Sequence, residues 1–102
     1  MASSKQYLAY VMDQLSRLDG VSARPMMGEF ILYYRDRVIG GLYDNRLLVK
    51  STASARDLLP DAPLEAPYPG AKAMLLVDPD NRTALEQLFA AMEPELPTRK
   101  KR

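Results

Sequence analysis

The sequence predicts an α+β domain of two layers, an antiparallel sheet of about five strands packed by N- and C-terminal helices. Three observations carry that prediction. Apolar residues recur at three- and four-residue spacing near both ends: Leu8, Val11, Met12, Leu15 and Leu18, then Leu85, Leu88, Phe89 and Met92. Between Val21 and Ser51 the apolar period falls to two. Glycines and an Asp-Asn pair divide that middle stretch into pieces of strand length.

The first helix is expected from Ser3 to Leu18, with Ser3 and Gln6 spaced as a capping box and Gly20 placed to stop it. Its one-sided stripe predicts a helix lying on another layer. Gly28-Glu29 suits a two-residue type II′ turn joining Val21–Met27 to Phe30–Arg35. Pro25 lacks a ladder donor, which places that first strand at a sheet edge. Asp36-Arg37 is a less specific turn leading to Val38–Tyr43, and Asp44-Asn45 fits a type I′ turn into Arg46–Ser51. The result is a four-stranded meander.

On one face of it, Phe30, Leu32 and Tyr34 align with Val38, Gly40 and Leu42 and with Leu47 and Val49. The other face is mixed and should be at least partly wet. Thr52 to Leu59 fits a short helix ended by Pro60, and the prolines from Pro60 to Pro69 predict an irregular connection. Lys72–Val77 reads as the fifth strand. Asp78 as N-cap and Pro79 as first helical residue would open the last helix. Residues 1–95 are expected to form one domain and residues 96–102 a basic, flexible tail.

The 102 residues, 47% hydrophobic and 26% charged, suit one globular domain with one core. No apolar run approaches the roughly 20 residues of a spanning helix, and the start does not resemble a signal peptide, so the expected location is the cytoplasm. With no Cys and no His, disulfides and thiolate chemistry are excluded. Catalysis would fall to carboxylates, Lys, Tyr or Ser, which do not cluster; a deep pocket holding, for example, Tyr68, Lys72 and Glu65 with strongly displaced titrations would point to an enzyme. No catalytic residue, cofactor, metal or small-molecule substrate is implied.

Asp78, Asp80 and Asn81 resemble the start of a calcium loop, but Thr83 and Phe89 occupy the positions of its glycine and its bidentate glutamate, so capping is their expected role. Gly40-Gly41 lacks the context of a phosphate loop and reads as a bulge or as room for a helix or aromatic ring. Met26 and Met27 suit either an irregular core gap or an adaptable binding surface, and core filling is the expected role.

The net charge of +1 gives no overall pull toward nucleic acid. Alternating strands could nevertheless gather Arg24, Arg35, Arg37, Arg46 and Lys50 beside Tyr33 and Tyr43, and Arg99, Lys100, Lys101 and Arg102 end the chain. Arg24, Tyr33, Arg35, Arg46, Lys50 and that terminal run are therefore the candidate contacts for a protein or nucleic acid. A solvated face balanced by Glu29, Asp36 and Asp44 is the plainer reading.

Arg24-Pro25-Met26-Met27-Gly28, the aromatic-rich strand after it, Gly40-Gly41 and Arg46-Leu47-Leu48-Val49-Lys50 together resemble the N-terminal domain of the TfoX/Sxy competence-regulator family. Leu47 and Lys50 keep that family's "leucine, x, x, lysine" strand, and Met27 stands where an aromatic is often seen. The resemblance runs on through Tyr68 and the last helix. It implies a two-layer α+β fold, a regulatory context in DNA uptake and transformation, and no catalytic residues. Longer members carry a second helical domain, so a stand-alone N-terminal domain is expected here. The expected function is a non-enzymatic regulatory or protein-interaction module, with self-association as a homodimer its simplest form and the sheet face or Pro25 edge as contact. The alternative is a weak nucleic-acid binder using the basic face and tail.

Overall fold

The computed structural model describes residues 3–96. Ser4, not Ser3, caps helix α1 (Lys5–Gln14), its hydroxyl accepting from the Tyr7 amide at 3.0 Å. Ser3 is drawn elsewhere: it is 7% exposed, and its amide and hydroxyl donate to Glu29 Oε1 at 3.0 and 2.9 Å. The Asn45 amide donates to Ser3 Oγ at 3.0 Å and the Asp44 amide to Glu29 Oε1 at 3.0 Å, so the start of the chain is latched to the sheet. The helix also ends earlier than predicted, and the turns after Gln14 still bury Leu15.

The meander forms as β1 (Val21–Met26), β2 (Glu29–Tyr34), β3 (Arg37–Leu42) and β4 (Leu47–Val49). It is followed by α2 (Ala53–Leu58), β5 (Leu64–Glu65), β6 (Met74–Val77) and α3 (Arg82–Met92). The strands make one antiparallel sheet of six in the order β1-β2-β3-β4-β6-β5. The strand beyond the expected five is β5, inside the proline-rich connection. The carbonyl of Pro63 accepts from the Leu76 amide at 2.9 Å, which draws the next two residues alongside β6.

Two turns sit one residue earlier than predicted. Met26 pairs with Glu29, so Met27-Gly28 make the first turn with φ of +51° and +86°, a type I′ turn in place of the expected II′. Arg35-Asp36 make the second with φ of +52° and +66°, and Asp44-Asn45 the third, as predicted. Type I′ geometry matches the right-handed strand twist, and that gain outweighs the poor left-handed preference of Met and Arg. The position of Met27 overturns its reading as core, because it is 97% exposed at the hairpin tip. Met27→Asn, which tolerates φ > 0, is expected to stabilise the monomer by about 1 kcal/mol. Thermal unfolding should show a midpoint higher by about 4 °C.

A bulge modifies the predicted faces. Leu32 lies opposite Gly40 while Tyr33 lies opposite Val38, leaving Ile39 as the extra residue. Ile39 enters the core, and Val38 shares the opposite face with Tyr33 instead of joining the apolar row.

The helices cover the face bearing Leu32, Tyr34, Leu42, Leu47 and Val49. The α3 stripe of Leu85, Leu88, Phe89 and Met92 is buried as expected, with the Phe89 ring centroid 5.8 Å from that of Tyr34. Asn81 caps α3, accepting from the Ala84 amide at 3.0 Å; Asp78 does not, because its carboxylate accepts from the Asp80 amide at 2.9 Å in the turn before the helix. Arg17 to Glu86 at 2.8 Å and Gln14 to the Pro79 carbonyl at 2.9 Å join α1 to the α3 segment. Leu96, assigned to the tail from sequence, packs in the core at 4% exposure. No helix among the described residues is long and apolar enough to cross a membrane.

Candidate functional site

Alternation leaves Arg46 and Lys50 on the same sheet face as Arg24, while Arg35 and Arg37 sit at the second turn. Arg24 and Tyr33 share the face away from the helices, with the guanidinium 5.7 Å from the ring centroid. Arg35, sitting in a turn, reaches over the Tyr34 ring at 5.3 Å and lies 3.8 Å from Glu93. Arg37 follows it to the same turn, donating to the Glu93 carbonyl at 2.5 Å. Arg46 pairs with Glu65 and donates from Nε to the Tyr43 carbonyl at 3.0 Å. Lys50 lies at the far end of β4 in a cleft. Arg99, Lys100, Lys101 and Arg102 lie outside the described residues.

One surface of interest is the outer edge of β1, which no other strand among the described residues pairs. A two-residue turn makes Met26 and Glu29 a hydrogen-bonded pair, and alternation then directs the peptide groups of Ser22 and Arg24 toward β2. The Arg35 amide donating to the Gly20 carbonyl at 2.9 Å keeps the same phase. Val21, Ala23 and Pro25 therefore turn their peptide groups outward, and only Val21 and Ala23 bring an N–H. Met26 and Met27 extend this edge as an exposed apolar tip.

The second is the cleft, of about 720 Å³, lined by the sheet, the proline-rich connection and the turn after α3. Val38, Lys50 and Met74 come from the sheet, Tyr68 and Lys72 from the proline-rich connection folded across it, and Glu95 from the turn after α3. Behind Tyr43, a Cβ on Gly41 would stand 2.7 Å from the Phe30 carbonyl oxygen and 2.7 Å from the Tyr43 ring, so the glycine makes room for the neighbouring strand and for the aromatic, the latter one of the two uses expected of Gly40-Gly41. The other, a bulge, lies beside Gly40. Tyr43 and Tyr68 pack at 6.4 Å, and burial pushes the Tyr43 hydroxyl pKa up. Of the trio Tyr68, Lys72 and Glu65, the cleft gathers the first two, while Glu65 is held by Arg46. Proline spacing alone could not show that this connection closes over the sheet; the signal available was Tyr68 between Pro67 and Pro69.

Glu95 is committed to the start of α2. The Ser54 amide donates to it at 3.1 Å and the Ser54 hydroxyl at 2.8 Å, and these bonds, with one from Thr52, hold its carboxyl below the usual carboxylate range. A depressed pKa stabilises the fold above the unfolded value, about 4.3, and that contribution disappears as pH falls through the lower folded value. Glu86, lowered by its bond to Arg17, acts in the same direction. Thermal midpoints should therefore fall in this acid window, and Glu95→Gln should flatten the fall.

The model of the TfoX N-terminal domain matches residues 13–81. A Spirochaeta aurantia protein, described as an uncharacterized 12.7 kDa protein in the trpE 5′ region, is 38% identical over 78 residues, 76% of this chain and 68% of that protein. No solved structure matches. The family match spans the whole meander, the cleft wall and the turn into α3, and on these grounds the chain belongs to the TfoX N-terminal domain family.

Proposed function

We propose that this domain is a non-enzymatic regulatory module that works through protein contact, and that its partner is a second copy joined along β1. The family's link to competence regulators supports the regulatory part. The outer β1 edge, with outward peptide groups and an exposed Met26-Met27 tip, carries the contact part.

A two-fold antiparallel pairing about Ser22 sets Val21 opposite the partner subunit's Ala23. Both outward donors of each chain then find acceptors, and no donor is demanded of Pro25. Arg24 faces the partner subunit's Gly20, which keeps the two Arg24 side chains out of direct opposition. Met26 and Met27 lie on the same edge beyond the paired stretch, as exposed apolar surface beside the contact.

The absence of native cysteine makes the test clean. In this register Ser22 and its twin form a non-hydrogen-bonded pair, with Cα atoms about 4.5 Å apart, within disulfide range. Ser22→Cys should oxidise to a covalent dimer much faster than the control Arg24→Cys. Equal rates for the two variants would reject the pairing.

A further inference from the structure

We propose that the cleft beneath Tyr68 binds a small organic anion with a flat apolar body, of the class of an aromatic carboxylate. This site is independent of the β1 edge. At about 720 Å³ it falls within the roughly 300–1,000 Å³ of small-molecule sites. Its walls are the apolar side chains of Val38, Leu64, Met74 and Leu96 and the rings of Tyr43 and Tyr68, a lining suited to a planar body.

Charge selects the sign of the ligand. Lys50 and Lys72 enter the cleft from different elements, and among the described residues no carboxylate lies within ion-pair distance of either. The acidic group in the lining, Glu95, keeps its charge but has oxygens engaged by Ser54, so the two lysines leave the lining one positive charge in excess. Two lysines in the lining against one carboxylate favour a carboxylate ligand over a neutral or cationic analogue. Tyr68 packs one side against Tyr43 and is still 55% exposed at the mouth, so ring surface remains for a bound aromatic body.

The test is a titration of isotope-labelled full-length protein with naphthoate, the neutral isostere naphthamide and naphthylmethylamine, followed by amide chemical shifts. Naphthoate should give saturable shifts at Lys50, Ser51, Tyr68 and Lys72, with naphthamide at least about tenfold weaker and the amine weaker still. The double variant Lys50→Gln, Lys72→Gln should remove the preference for the anion. Tyr68→Ala, a change at an exposed ring that leaves the charges in place, should weaken naphthoate and naphthamide alike. Absence of saturable shifts in the cleft, shifts centred elsewhere, or equal binding of naphthoate and naphthamide would overturn the proposal.

Discussion

Gly40→Ala is expected to unfold the domain or nearly so. A Cβ at this position would stand 2.1 Å from the Leu48 carbonyl oxygen and 2.8 Å from the Val49 Cα. Both are backbone atoms of β4, so no rotamer change relieves the contact, and β3 must move away from its neighbour. That movement breaks the ladder at the centre of the sheet, next to the bulge that places Ile39 in the core. A cost of about 4 kcal/mol or more is expected, against the roughly 5–15 kcal/mol that holds a typical domain. Urea denaturation monitored by circular dichroism measures it; a midpoint within error of the parent protein would show that the strands accommodate a methyl here.

Phe89→Ala is the second large effect. Phe89 is fully buried on α3 and meets Tyr34 of the sheet, so it bridges the two layers at the middle of the core. Truncation removes its buried apolar surface and leaves a cavity that helix and sheet cannot close without losing neighbouring contacts, a loss of about 3–5 kcal/mol. Phe89→Leu should cost distinctly less, because it retains much of the volume. A reduced denaturation midpoint with unchanged slope would identify the loss as packing.

Much of this architecture was legible from spacing. The apolar stripe of α3 and the Asp44-Asn45 turn came directly from residue type and period. The errors fall where long-range partners decide. Ser3 looks like a cap locally, but Glu29 and Asn45 take up its hydrogen bonds. Met-Gly is a poor advertisement for a type I′ turn, yet the register of β1 on β2 leaves those two residues at the tip. The bulge at Ile39 rotates Val38 off the predicted row, and neither strand's own pattern shows it. The ion pairs of the basic residues are hidden for a similar reason: their partners Glu93 and Glu65 are distant in sequence from Arg35 and Arg46.

That pairing bears on the alternative of nucleic-acid binding, which needs several unpaired cations facing one phosphate track. It retains Arg24 and Lys50, together with the terminal run from Arg99. Such binding would weaken with salt by about one logarithmic unit per neutralised phosphate for each tenfold rise in salt, and would be lost on removing residues 98–102. Labelled single- and double-stranded DNA titrated at low salt distinguishes it from a protein-contact surface.

The central claim is that β1 joins two copies of the chain. Light scattering over a wide dilution series, on the parent protein and on Ser22→Glu, tests it most directly. The account predicts a reversible dimer in the parent and a folded monomer in the variant, because two carboxylates would oppose each other across the two-fold axis. A parent protein that stays monomeric at every concentration, or a dimer that Ser22→Glu leaves intact, would contradict it.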